Sequence, residues 1–163
     1  MATNPYSNQQ RGPGGYQGGQ RQGGFASRSD DRDDVATINL QSIVLGAKPA
    51  ADLFSTQAER AAEEVSRASK EMNKSSQLRR FYDELVMWQE KVGTDDAKFT
   101  DCEPYIRMLK AKAAYAKGRK HVDANFRALF DHLIDQSTGA ATLRQAKLFF
   151  EAFMAYYKIH RAQ

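Results

Sequence analysis

Between Phe54 and Met72 the apolar positions are Phe54, Ala58, Ala61, Val65, Ala68 and Met72, steps of four and three that a helix turns into one stripe. After Asn73 and Lys74 the pattern restarts in SSQLRRFYDELVMWQEKVG. Leu78, Phe81, Leu85, Trp88 and Val92 share one face there, Ser75 or Ser76 stands where a helix cap is needed, and Gly93 ends the run. Asp101 and Pro104 mark the next start, because a proline costs nothing in a first helical turn whose amides lack partners. On that third helix Tyr105, Ile106, Leu109, Ala113 and Ala116 fall within one arc and predict its buried face. Gly118 separates it from a fourth stripe, Val122, Phe126, Leu129, Phe130, Leu133 and Ile134. A loop around Ser137 and Gly139 leads to a last stripe of Leu143, Ala146, Phe150, Phe153 and Tyr157. The segment INLQSIVLGAKP, Ile38 to Pro49, fits a short helix and a short strand equally, and it is assigned to helix because a single strand has no sheet to join. With no glycine-punctuated strand pairs, the fold class expected is all-α, a compact bundle of five to six helices.

Ahead of the bundle the chain changes character. Residues 1–34 hold seven of the eleven glycines and almost no aliphatic side chain, too little apolar surface to offset the entropy of ordering. The expectation is a disordered Gly/Arg/Gln-rich N-terminal tail over 1–34 and a helical bundle domain over 35–163. Arg11, Arg21 and Arg28 alternate with Tyr6, Tyr16 and Phe25 in a mixture able to stack on single-stranded RNA. Asp30, Asp31, Asp33 and Asp34 offset the four arginines of the tail, so a solvated tail without a partner is the simpler reading.

The total charge of +4 is mild, but its distribution is not. YIRMLKAKAAYAKGRK, Tyr105 to Lys120, carries Arg107, Lys110, Lys112, Lys117, Arg119 and Lys120 with no acid among them, whereas Asp83 to Glu103 is predominantly acidic. On the helix Met108, Lys112, Tyr115 and Arg119 line one flank of the buried arc, and Arg107, Lys110 and Lys117 line the other. The acids that usually sit four residues before a lysine are missing. Such cations suit a polyphosphate, a membrane surface or an acidic protein face. Alanines opposite the charges fit a packed core better than lipid. Lys112, Tyr115 and Arg119 place a ring between two cations over ~11 Å, a reach that matches neighbouring phosphates and one base of a single strand. Equally, Tyr115 could edge the core while the lysines solvate their helix.

Catalytic chemistry finds little footing. His121, His132 and His160 have no spacing that pairs them on a metal, and no phosphate-cradling glycine loop follows a strand, so no catalytic residue, metal or cofactor is expected. His121 and His132 read as exposed helix-surface residues. The single cysteine, Cys102, excludes an internal disulfide and favours the cytoplasm. No apolar run approaches the ~20 residues of a membrane span, and the first thirty residues hold no signal-peptide core.

The segments SSQLRRFYDELV and IRMLKAKAAYAKGRK, followed by LFFEAFMAYYKIH, together resemble the small helical (Csm) subunit of type III-A CRISPR effector complexes. The resemblance covers roughly Asn73 to the C terminus, and the glycine and arginine tail departs from it. It implies a non-catalytic subunit of an antiviral ribonucleoprotein, stacked with other copies of itself beside backbone and large subunits, and holding target RNA paired to guide RNA. Arg79, Lys112 and Arg119 lie in the matching motifs and are the implied phosphate contacts. Arg80, Lys110, Lys117 and Lys120 join them on helical geometry, and Tyr115 as the ring that stacks. The acidic stretch would then face a neighbouring subunit. Alternatives from other classes are a free-standing helical adaptor that binds only protein, and the equivalent type III-B small subunit.

Overall fold

A computed structural model describes residues 34–161, so the expected tail lies almost entirely outside the described residues. A π-helical turn at Leu53–Gln57 runs into α1 (Ala58–Ser66), followed by α2 (Ser75–Val92), α3 (Asp96–Gly118), α4 (Ala124–Gln136) and α5 (Ala140–Arg161). No strand occurs among the described residues, and the fold is all-α as the periodicity predicts. The long α5 is the axle. It contacts α1, α2 and α4, while α3 closes the bundle against α2 and α4. Phe126 and Phe130 of α4, Phe150 and Phe153 of α5 and Phe81 of α2 form a continuous ring cluster with centroids 5.1 to 6.5 Å apart. Each fully buried ring of this kind contributes about 1.5–3 kcal/mol relative to exposure.

Two starts differ from expectation. α3 begins not at Asp101 but at Asp96, because the Asp95 carboxylate accepts from the Ala97 and Lys98 amides and Phe99 and Cys102 add a buried turn. Pro104 therefore sits inside the helix, on its exposed side, where the Thr100 carbonyl can turn to water. α2 starts at Ser75 with Lys74 in the capping position, so neither serine caps it. Gly93 does end α2, at a φ of 61° that favours glycine. α1 stops at Ser66 rather than running to Met72, since Arg161 of α5 donates to the carbonyls of Ser66, Ala68, Ser69 and Met72 and holds that loop open.

Residues 38–49 are not helical. The segment is an irregular strap with a turn at Gln41 and Ser42, and side-chain amides replace the missing sheet: Asn125 accepts from the Thr37 and Ile38 amides, Gln136 accepts from Leu45 and donates to Ile43, and Gln145 accepts from and donates to Gly46. His132, expected on the surface, is part of this clamp, with Nε2 2.7 Å from the Ile43 carbonyl. Ile43 and Leu45 are thereby buried in the common core.

Candidate nucleic-acid interface

α2 and α3 run antiparallel, and their register is visible in three cross-links. The Asn73 amide donates to the His121 carbonyl (2.9 Å), Lys112 meets Glu84 (2.5 Å), and Trp88 stacks on Tyr105 with centroids 5.8 Å apart and planes 12° apart. Ile106, Leu109, Ala113 and Ala116 are buried, as the arc predicts. Tyr105 is not: it is 56% exposed, because its ring turns outward onto Trp88 rather than into the core.

The acids missing from α3 itself come from neighbouring elements. Lys112 pairs with Glu84 of α2, Lys110 with Asp135 of α4 at 2.6 Å, and Lys117 with Asp34 at 3.3 Å. Arg107 pairs with Glu103 at 2.7 Å on its own helix. Part of the acidic stretch is engaged within the fold. Asp83 meets Arg79, Glu84 meets Lys112, Asp95 caps α3, and Asp96 accepts from the Ala140 amide at the start of α5. Gly139 lies tight against that last contact, where a Cβ would come 3.0 Å from the Asp96 carboxylate. Glu90 and Asp101 stay on the surface.

Seven of the eight candidate residues divide among three surfaces, and Lys120 lies in the turn after α3. Lys112, Tyr115 and Arg119 share the flank of α3 that faces α2, with Tyr115 68% exposed and Arg119 also exposed. In the antiparallel register Arg80 lies level with Ala116 on the same side of α2 as Glu84, so it extends this group. Lys110 and Lys117 lie on the opposite flank, against α4 and the N-terminal segment. Arg79 is on a third surface: it hydrogen-bonds Asp83 at 2.7 Å and lies 5.3 Å over Tyr82, which stacks on Phe150 of α5. Lys120 occupies the turn after α3 with a φ of 56°. Met108, on the flank of Lys112 and Tyr115, is 53% exposed, and Trp88, expected on the buried stripe of α2, is only half-buried and stacks on Tyr105 at the edge of this face. The steps of three and four from Tyr105 through Met108 to Lys112 were the available signal.

His121 is exposed, and among the described residues no group of three or more His, Cys, Asp or Glu side chains is arranged to hold a metal. No helix among them is long and apolar enough to cross a membrane. A family model described as Csm2 Type III-A matches residues 48–163. The chain belongs to this family. It is therefore a small subunit of a type III-A CRISPR complex, as the α2, α3 and α5 motifs implied, and the type III-B alternative falls away. The matched residues span every helix and the aromatic core, and they leave the glycine-rich start of this Csm2 chain outside. No curated protein and no solved structure matches the chain.

Proposed function

We propose that this Csm2 chain is a non-catalytic subunit that stacks in several copies along its effector complex and holds the target RNA paired to the guide RNA through phosphate contacts. The observation that carries the reading is the face shared by α2 and α3. Arg80, Lys112 and Arg119 lie around an exposed Tyr115, and membership in a type III-A CRISPR complex supports the reading. Copies in register would join these short faces into a positive groove beside the backbone and large subunits. Contacts of this type position RNA without reading its sequence, which base pairing with the guide supplies. Lys110, Lys117, Lys120 and Arg79 belong to other surfaces and serve as secondary phosphate contacts or subunit contacts. The ion pair to Glu84 does not remove Lys112 from the site, since both side chains are partly exposed and a surface pair of this kind contributes only about 0–1 kcal/mol.

The test is target RNA binding by the reconstituted complex carrying a guide. Arg80→Ala, Lys112→Ala and Arg119→Ala should each weaken binding alike for every matched sequence. Each should also flatten the slope of log affinity against log salt by about 0.7, the value for one phosphate on a single strand. Tyr115→Ala should cost about 1–3 kcal/mol with little change in slope. A triple charge variant that assembles and keeps its target affinity at every salt concentration would make this face a protein interface instead.

A further inference from the structure

We propose that the recess between α1 and the strap that precedes it binds a guanine base. The recess has a volume of about 130 Å³ and is lined by Ser42 and Ile43 of the strap on one side and by Gln57, Arg60, Ala61 and Glu64 on the other. A cavity of ~150 Å³ admits one benzene ring, so this one takes the six-membered ring of a base and leaves its sugar outside. Gln57 closes the π-helical turn, its amide reaching back five residues to the Asp52 carbonyl at 3.1 Å. Such local widenings of a helix occur frequently at functional sites. The Gln57 side chain is buried, and its Nε2 donates to the Asp52 carboxylate at 2.8 Å, which leaves Oε1 with no hydrogen-bond partner among the described residues. A buried acceptor of this kind is nearly always satisfied in a native fold, and this one belongs to the wall of the recess.

The chemistry of the lining specifies the base. Ile43 and Ala61 are buried in the core and give the recess an apolar floor for a ring face. Arg60 is exposed and Glu64 half-buried, so the guanidinium stands nearer the mouth and the carboxylate deeper. Their four-residue spacing would let them pair with each other, yet neither side chain makes an ion pair or hydrogen bond among the described residues. An ionised glutamate only accepts hydrogen bonds and an arginine only donates them, so the ligand must carry donors and acceptors side by side. Guanine does so: N1–H and N2–H face the two carboxylate oxygens, while O6 and N7 face the guanidinium fork. The other three bases place an acceptor beside the donor, which a carboxylate repels. The Cβ atoms of residues four apart on a helix are about 5–6 Å from each other, a separation that suits two groups sharing one base edge.

No residue of α2 or α3 lines the recess, so the site is independent of the phosphate-binding face proposed above. A nucleoside without phosphate separates the two. Guanosine titrated into the full chain should shift the Ile43 and Ala61 methyl signals in NMR spectra and saturate them with a dissociation constant below about 1 mM. Adenosine should bind at least about tenfold more weakly, and so should guanosine to the Glu64→Gln variant, whose amide sets an N–H against a base N–H. A circular dichroism melt would confirm that the variant folds. The pentanucleotide UUGUU acting at lower concentration than guanosine 5′-monophosphate would assign the base to an RNA strand, and the reverse order would assign it to a free nucleotide. Methyl signals that ignore guanosine, that respond equally to adenosine, or that respond unchanged in Glu64→Gln would each overturn the inference. Failure of the RNA reading would leave the guanosine titration untouched, because Lys112, Tyr115 and Arg119 take no part in it.

Discussion

Asn73 shows how much a single residue can organise. Fully buried at a φ of 52°, it donates through Nδ2 to Asp123 (2.8 Å) and Val65, and it accepts at Oδ1 from the Asp123 amide (2.9 Å). Its own carbonyl accepts from the Tyr157 hydroxyl at 2.6 Å. Asp123 in turn caps α4 through the Phe126 amide. The loop after α1, the loop after α3 and the end of α5 thus meet in one buried polar network, where an unsatisfied group costs about 1–3 kcal/mol. Burial pushes the Tyr157 phenol up to about 12 from an ordinary 10. Unfolded chains lose that proton near pH 10 while the folded protein keeps it to about 12, so between those values the folded state binds more protons. Stability then falls as pH rises through the window. Tyr157→Phe should cost about 1 kcal/mol at pH 7, where a hydrogen bond is lost, yet lose stability less steeply than wild type from pH 10 upward. Urea melts at a series of pH values would show this, and parallel pH slopes for the two proteins would contradict it.

At the scale of an element, α3 carries an internal cost. Pro104 is its ninth residue, where the ring removes the hydrogen bond to Thr100 and no first-turn allowance applies. Restoring an amide with Pro104→Ala should stabilise the protein by about 1–2 kcal/mol, the helix gain exceeding the extra freedom of the unfolded chain. An unchanged or lower melting temperature would mean that the proline shapes α3 in a way the face with α2 needs. Pattern predicted that a helix runs through Ile106, Leu109, Ala113 and Ala116, and these are buried. It misplaced the start by reading Pro104 as a first-turn residue, although Asp95 followed by Phe99 and Cys102 held the true signal of a cap and a further apolar turn.

Across the whole molecule, the irregular strap before α1 belongs to the core without belonging to any helix. Gln145 supplies both partners of the Gly46 backbone at 2.9 and 2.8 Å. Gln145→Ala should therefore loosen the strap locally: hydrogen exchange at the Gly46 amide should accelerate about tenfold, the equivalent of ~1.4 kcal/mol, while amides in the middle of α5 keep their protection. Acceleration spread evenly over the helices would instead mean that the strap and bundle unfold as one unit.

Helix number, the identity of the aromatic core and the presence of a cationic, aromatic α3 were all legible in the sequence. They rest on periodicity along one element, and periodicity is a local property. Tertiary structure alone decided which charges meet. Lys112 finds Glu84 and Lys110 finds Asp135 across 28 and 25 residues of chain. It also decided the strap, because the side-chain amides of Asn125, Gln136 and Gln145 become hydrogen-bond partners for residues 37–46 only once α4 and α5 pack together. A one-dimensional pattern shows which face of a helix is apolar, but the partner of an exposed charge or an unpaired amide is set by what the fold brings within hydrogen-bonding distance.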